Sequence, residues 1–240
     1  MKTFLILLLI SSTHLFSQRL LTPSNSGIDP QLIQDETSEA VWYAENAGQK
    51  IEIGNITTQI KKLNATDLLI MTTVKMKQTP NTHWVDSTLV KTASLQPIGH
   101  SSFNMARDMT FTYHKNKVTG YYLDKKTQKK DDIDMPATDY FDSSSYPTLI
   151  RFLPLKEHYT AEISIFDYNP SAVKKGMMKA YIQSVEKGDY QSKKVWIVKT
   201  ADDITEKSTA VTYYIDPETR KILKQDIESG TRKMSMETIK

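Results

Sequence analysis

The chain has 240 residues, contains no cysteine and carries a formal net charge of +3 at neutral pH. Without cysteine it has no disulfide, no thiolate zinc site, no catalytic thiol and no thiol redox motif. The net charge is too small, and the lysines are too dispersed, to indicate a nucleic-acid partner. Hydrophobic residues make up 39% and charged residues 25% of the chain, which is ordinary for a soluble globular protein of one large or two small domains.

Residues 1–18 have the layout of a secretory signal peptide. Lys2 supplies a positive start, Phe4–Ile10 is an unbroken apolar run, and small polar residues follow. The run is far shorter than the roughly 20 residues that a membrane-spanning helix needs. No cysteine follows it to carry a lipid. We therefore expect a soluble exported protein, periplasmic or extracellular, without a membrane span.

The rest of the chain divides at about residue 40. Residues 19–40 lack a clear period and are interpreted as an N-terminal arm, with a short helix over Gln31–Glu39 as one option. Residues 41–240 are predicted to form a single curved antiparallel β domain, because apolar residues recur there with a period of two.

The alternation is clearest in Thr66–Gln78, where Leu68, Ile70, Val74 and Met76 share one face. Such a pattern is typical of a half-buried antiparallel strand. In Gln49–Leu63 the apolar phase slips beside Gly54, which predicts a bulge. About ten or eleven strands are expected in an up-and-down meander. Those of the second half are His158–Tyr168, Met177–Glu186, Lys194–Thr200, Thr209–Asp216, Lys221–Glu228 and Arg232–Ile239.

Two segments, Tyr121–Lys129 and Tyr213–Lys221, echo each other. Each has the pattern of a strand that ends in aspartate, a tight turn and a lysine that opens the next strand. The aspartate side chain is expected to accept hydrogen bonds from the turn backbone.

One segment departs from the β pattern. Ser143–Ser145 offers N-cap oxygens, Pro147 suits a first helical turn, and Pro154 ends the segment. Between them we predict a short, very apolar helix, which either fills the open side of the curved sheet as core or gates an apolar cavity. The candidate ligand-facing residues are Tyr146, Leu149, Ile150, Phe152 and Leu153.

Motifs for catalysis or metal binding are weak. His100 lies beside Ser101 and Ser102, with Asp108 nearby, but no nucleophile elbow surrounds them, so a polar strand face is the favoured interpretation. The cluster Asp131–Asp134 lacks the glycine and terminal glutamate of a calcium loop, and a solvated acidic turn is favoured. We therefore predict no catalytic residue, no metal site and no cofactor.

Several short motifs carry a resemblance. They are Leu95–Ser102, Met109–Tyr113, Lys117–Gly120, Phe141–Ser144 and Arg151–Leu155. Over residues 85–228 the chain resembles an uncharacterised family of exported bacterial envelope proteins. The sheet of that family is similar to that of the periplasmic lipoprotein-localisation factors. The resemblance implies a strongly curved antiparallel sheet wrapped partly around helix, with a cavity that receives acyl chains in the localisation factors. It carries no site residue over to this chain.

The sequence thus predicts an all-β fold: a strongly curved antiparallel sheet or half-barrel with one inserted apolar helix. The leading function is non-enzymatic binding of a hydrophobic or lipidic ligand, or of an envelope protein, through the concave sheet face. Two alternatives stay open at this point. One is a structural or interaction module with a filled core, and the other is a hydrolase with a site around His100 or the acidic residues.

Overall fold

In the computed structural model, which describes residues 19–46, 48–82 and 84–239, strands dominate the chain. The predicted signal peptide, residues 1–18, lies outside the described residues. The strands are β1 Leu20–Leu21, β2 Glu36–Asn46, β3 Gln49–Lys62, β4 Asp67–Met76, β5 Trp84–Lys91, β6 Pro97–Phe103, β7 Arg107–Tyr113, β8 Lys117–Asp124, β9 Lys130–Pro136, β10 Phe141–Asp142, β11 Ala161–Asp167, β12 Gly176–Tyr190, β13 Lys193–Asp202, β14 Thr209–Ile215, β15 Ile222–Ser229 and β16 Arg232–Thr238. A 3-10 turn spans Pro30–Leu32, and the helix α1 spans Tyr146–Phe152.

All sixteen strands belong to one sheet. Strands β2 to β9 follow one another as a meander, β11 to β16 form a second meander, and the β16–β2 ladder joins the two. The ladders within and between the meanders are antiparallel, whereas β1 and β10 each pair parallel with β11. The predicted β fold with one inserted helix is confirmed, and across the described residues the hydrogen-bonded sheet does not close on itself.

The sheet curves so strongly that its two halves share one core. Buried side chains of β3, β4 and β5 from one meander, and of β11 to β14 from the other, cluster around α1. The two ends of the sheet also meet through side chains at a second cluster, where Phe166 packs among residues of β7 to β9. There a Cβ on Gly176 would stand 2.9 Å from the Met135 methyl carbon, so glycine allows β9 to approach β12 closely.

Local predictions for turns and bulges are confirmed. In the β2–β3 ladder Trp42 pairs with Gly54 and Tyr43 with Glu52, so one residue beside Gly54 is extra. The two echoing hairpins use the same turn chemistry. Asp124 Oδ1 accepts the backbone N–H groups of residues 126 and 127, and Asp216 Oδ1 accepts those of residues 218 and 219, at 2.8–3.0 Å.

Two local predictions are wrong. No helix covers Gln31–Glu39, because the chain turns once at Pro30–Leu32 and then extends into β2 from Glu36. The acidic cluster Asp131–Asp134 is not a turn but part of β9, with Ile133 buried between exposed carboxylates. In both segments the conformation depends on pairing with a neighbouring strand, and the local sequence does not reveal that pairing. The described residues contain sixteen strands where ten or eleven were expected. The unexpected ones include β2 and β9, and also β1 and β10, which with two residues each are too short to show a period.

We expect the helix to contribute strongly to stability. Leu149 and Leu153 are fully buried in the shared core, so replacing either by alanine should lower the free energy of unfolding by about 2–5 kcal/mol. Val173→Ala, at a side chain that is 96% exposed, is the matched control and should change it by less than about 0.5 kcal/mol. Urea unfolding of the three variants measures this, and a loss below about 1 kcal/mol at both leucines would contradict a filled core under the helix.

Candidate functional site

A cavity of about 280 Å³ lies between α1 and the concave face of the sheet. Its floor comes from the adjoining strands β15, β16, β2, β3, β4 and β5, and its roof from one side of α1 and from Ser144, two residues before the helix. The roof residues are Ser144, Pro147, Thr148 and Arg151. The cavity therefore lies where the two meanders join, beside the filled core rather than within it.

A polar row crosses the cavity floor. Ser38 pairs with Thr58, Thr58 with Thr72, and Thr72 with Asp86, on four adjacent strands from β2 to β5. All four residues line the cavity. Because neighbouring strands lie about 4.8 Å apart, the row extends for roughly 14 Å. Hydroxyl and carboxylate groups thus line this part of the cavity floor.

An apolar row runs beside the polar one. Ala40, Ile56, Val74 and Trp84 occupy the same four strands two residues further along each strand. They also line the cavity. Residues two apart on a strand point to the same face, about 7 Å from one another, so the floor consists of a polar and an apolar strip side by side.

Two tryptophans meet at the apolar end of the cavity. The rings of Trp42 and Trp84 lie 6.5 Å apart between centroids, edge to face with an interplanar angle of 67°. Trp42 stands opposite Gly54, where a Cβ would come within 2.6 Å of the Lys75 carbonyl oxygen, so this position accepts only glycine without movement of the backbone. The two rings form an aromatic corner facing the apolar row.

An ion pair fixes the roof to the floor. Arg151 donates from both terminal nitrogens to the Glu36 carboxylate, with Nη2 3.0 Å from Oε2. The arginine is only 6% exposed. Removing one partner of such a buried pair leaves an uncompensated charge and costs about 3–5 kcal/mol. The pair thus holds α1 at a set position over β2.

Three buried polar atoms around the cavity have no hydrogen-bond partner among the described residues: Trp42 Nε1, Arg151 Nε and Asp86 Oδ1. The second oxygen of Asp86 accepts one hydrogen bond, from Trp84 Nε1 at 3.0 Å. An unpaired buried donor or acceptor costs about 1–3 kcal/mol. All three atoms are themselves buried, so the side chains around them would have to move before an occupant of the cavity could reach them.

A second buried polar group centres on Asp142. The Tyr113 hydroxyl and the Ser144 backbone N–H both donate to its carboxylate, and His100 Nδ1 lies 3.5 Å from Oδ2 and 3.0 Å from the Thr88 hydroxyl. Burial raises the pKa of Tyr113 well above its usual value, and the Asp142 charge adds to this, so the phenol keeps its proton. This group ties β5, β6 and β7 to β10 from inside the sheet.

The residues considered for catalysis do not converge. The His100 side chain, only 1% exposed, lies near Asp142 instead of Asp108. Asp108 pairs with Lys125 at 2.6 Å, and Ser101 points to the opposite face of β6 from His100, as alternation requires. Among the described residues no group of three or more histidine or acidic side chains is arranged to hold a metal ion.

The five candidate ligand-facing residues of the helix all lie in the core shared by the two meanders: Tyr146, Leu149, Ile150, Phe152 and Leu153. That they contact a ligand stays a prediction. Sequence reasoning missed Trp42, Asp86 and Arg151. Two polar residues within apolar series could have indicated the site. They are Thr72 in the series Leu68–Met76, and Thr58 between Ile56 and Ile60 on the adjacent strand.

A curved antiparallel sheet with a helix in its hollow defines an open-barrel β protein, and the comparisons agree with this class. The chain belongs to the DUF3108 family of proteins of unknown function, whose sequence profile matches residues 39–237. No curated protein sequence matches it. No helix of the described residues is both long enough and apolar enough to cross a membrane.

Solved structures add fold similarity alone. A beta-barrel-like protein of the domain of unknown function DUF1849 from Brucella abortus superposes with a TM-score of 0.54 at 10% identity, covering 93% of this chain and 98% of that one. The hypothetical protein CT021 from Chlamydia trachomatis gives a TM-score of 0.36 at 11% identity, covering 91% of each chain. A DUF1329 family protein from Desulfovibrio piger gives 0.23 at 9% identity, covering 87% and 85%.

The partly buried carboxyl of Asp167 predicts a pH dependence of stability. Burial raises the pKa of Asp167, and the Asp142 charge adds to this, although a hydrogen bond from Ser143 at 2.6 Å opposes it. A raised pKa in the folded state means that stability is lost as pH rises from the unfolded pKa, about 3.9, through the folded one. Asp167→Asn should therefore be more stable than the parent at pH 7, by a margin that grows from pH 4 upward in urea unfolding.

The matched control is Asp203→Asn. Burial alone raises the pKa of Asp203, but hydrogen bonds from Lys174, Tyr181 and the Lys179 backbone outweigh it and lower the pKa. Stability from this carboxylate is present above the unfolded pKa and is lost as pH falls through the folded one. The control should thus be less stable than the parent at pH 7. Equal signs for the two variants at pH 7 would contradict the assignment.

Proposed function

We propose that this protein is an exported envelope protein that binds a hydrophobic or lipidic ligand in the cavity under α1. The observation that carries the proposal is the combination of an apolar row and two indole rings with a row of lining hydroxyls, Ser38, Thr58 and Thr72. A polar head group can pair these hydroxyls, each of which both donates and accepts. The apolar part of the ligand then covers Ile56, Val74 and the tryptophans.

The size of the cavity suits one small amphiphile. Ligand pockets commonly measure about 300–1,000 Å³, so a volume of about 280 Å³ lies at the lower end of that range. The proposed ligand has one acyl chain and a compact head group. The resemblance of the sequence to envelope proteins related to the lipoprotein-localisation factors supports the same class of ligand.

The proposed function is binding rather than catalysis. His100 is sealed in the interior, and the hydroxyl and carboxylate considered with it, Ser101 and Asp108, lie elsewhere. A substrate would have to reach a side chain that is 1% exposed. Export is the other part of the proposal, and the layout of residues 1–18 supports it.

Tryptophan fluorescence tests ligand binding directly. Trp42 and Trp84 line the cavity, whereas Trp196 of β13 does not and instead lies under Lys187, with Nζ 5.8 Å from the ring centroid. In Trp196→Phe only the cavity tryptophans emit among the three in the chain. We expect a brominated monoacylglycerol to quench most of this emission with saturation near one equivalent, because bromine quenches at contact.

The controls separate cavity binding from surface adsorption. The unbrominated monoacylglycerol should bind without quenching, and a Trp42→Phe, Trp84→Phe double variant, which emits from Trp196 alone, should be quenched little. Equal quenching of both proteins would contradict binding in the cavity. Mass spectrometry of the natively purified protein would then identify any lipid that co-purifies.

A reporter fusion to residues 1–18 tests the proposed export. A reporter enzyme that is active only outside the cytoplasm should gain activity when residues 1–18 are fused to it, and should have none when Leu7 and Leu8 in the apolar run are replaced by arginine. The protein lacking residues 1–18 should be folded in the cytoplasm, because it keeps all the residues that pack the shared core, from Leu21 to Ile215. Equal reporter activity with the intact and the arginine-containing leader would overturn this part of the proposal.

A further inference from the structure

The polar groups of the cavity narrow the class of ligand. We infer that the ligand is an amphiphile with a neutral, polyhydroxylated head group, such as a sugar, which lies on the row from Ser38 to Asp86. This inference rests on the proposed function, since it assumes that the cavity is a binding site. It goes further by assigning the head group from the hydrogen-bonding capacity and the charge of the lining.

The row offers hydroxyls that the protein itself does not use. Ser38, Thr58 and Thr72 line the cavity in register, and none of their side chains bonds another described residue. Each hydroxyl can both donate and accept. Three such groups on adjacent strands, about 4.8 Å apart, match a ligand that carries several hydroxyls along its length.

The charged lining disfavours a charged head group. Two acidic and two basic side chains line the cavity, Glu36, Asp86, Arg151 and Lys221, so their formal charges cancel. An anionic head on the row would face the Asp86 carboxylate, which has no ion-pair partner among the described residues. A cationic head would share the cavity with the Arg151 guanidinium and the Lys221 ammonium, which line it as well.

A sugar pairs the hydroxyl row along its length. Its hydroxyls donate to and accept from those of Ser38, Thr58 and Thr72, because each of these groups is both a donor and an acceptor. The unpaired atoms Trp42 Nε1, Arg151 Nε and Asp86 Oδ1 are themselves buried and take no part in this contact.

The apolar row supplies the place for the tail. It runs parallel to the hydroxyl row at a distance of about 7 Å, on the same four strands. On β16, Met236 stands opposite Trp42 and adds a further apolar side chain to the lining. A single alkyl chain attached to the head group can therefore lie along the apolar strip while the head group keeps its hydrogen bonds.

Decyl compounds that share a tail and differ in head group test the inference. Calorimetric titration below the critical micelle concentration compares decyl glucoside with decylphosphocholine, decyltrimethylammonium and decyl sulfate. We expect the glucoside to bind at least about tenfold more tightly than each charged or zwitterionic compound. We also expect Thr58→Val combined with Thr72→Val to weaken glucoside binding about tenfold, through the loss of two hydrogen bonds.

The chain offers a matched control on the opposite face of the same strands. Thr57 pairs with Thr73 as Thr58 pairs with Thr72, but the outer pair does not line the cavity. Thr57→Val combined with Thr73→Val should bind the glucoside like the parent. Circular dichroism and urea unfolding verify that both double variants fold.

The outcomes distinguish the two levels of the proposal. Equal binding of all decyl compounds, preference for a charged head, or an equal effect of the inner and outer threonine variants overturns the sugar assignment and leaves the proposed function intact. Failure of every decyl compound to bind, together with no quenching by the brominated monoacylglycerol, overturns the proposed function and the inference with it.

Discussion

The packing of α1 into the hollow of the sheet is the interaction on which the rest of the structure depends. A seven-residue helix is far too short to be stable alone, so it forms because both meanders bury it. In return, strands that lie far apart along the sheet acquire a common core. Leu149, Ile150 and Leu153, each 0% exposed, lie in this common core.

The two sides of α1 face different parts of the protein. Its apolar side fills the core, whereas Thr148 and Arg151 on its polar side roof the cavity. The Arg151–Glu36 pair sets the height of that roof above β2. A filled interior and a cavity, which are alternatives when only the sequence is considered, are therefore both present on opposite sides of one short helix.

Much of the fold could be predicted because it depends on local chemistry. Alternation on β4, the turn aspartates Asp124 and Asp216, and the proline-bounded helix are each specified by neighbouring residues. The site could not be predicted in the same way, because its residues come together only through the register of the strand pairs. Trp42, Asp86 and Arg151 lie far apart in the sequence, and no local pattern indicates that β2, β5 and α1 surround one space. The charged strand β9 was missed for a similar reason, since only its pairing with β8 makes it extended.

The open end of the sheet has a consequence for the behaviour of the protein in concentrated solution. Strand β9 pairs with β8 on one side, and its other edge has no ladder partner among the described strands. Such an edge exposes backbone donors and acceptors that a second molecule can extend into a growing assembly. Lys130, Asp131, Asp132 and Asp134 place charge along nearly the whole strand, and Pro136 ends it. An incoming strand would have to bury those charges, so this composition acts as protection against edge-to-edge aggregation in a fold that leaves its sheet unclosed.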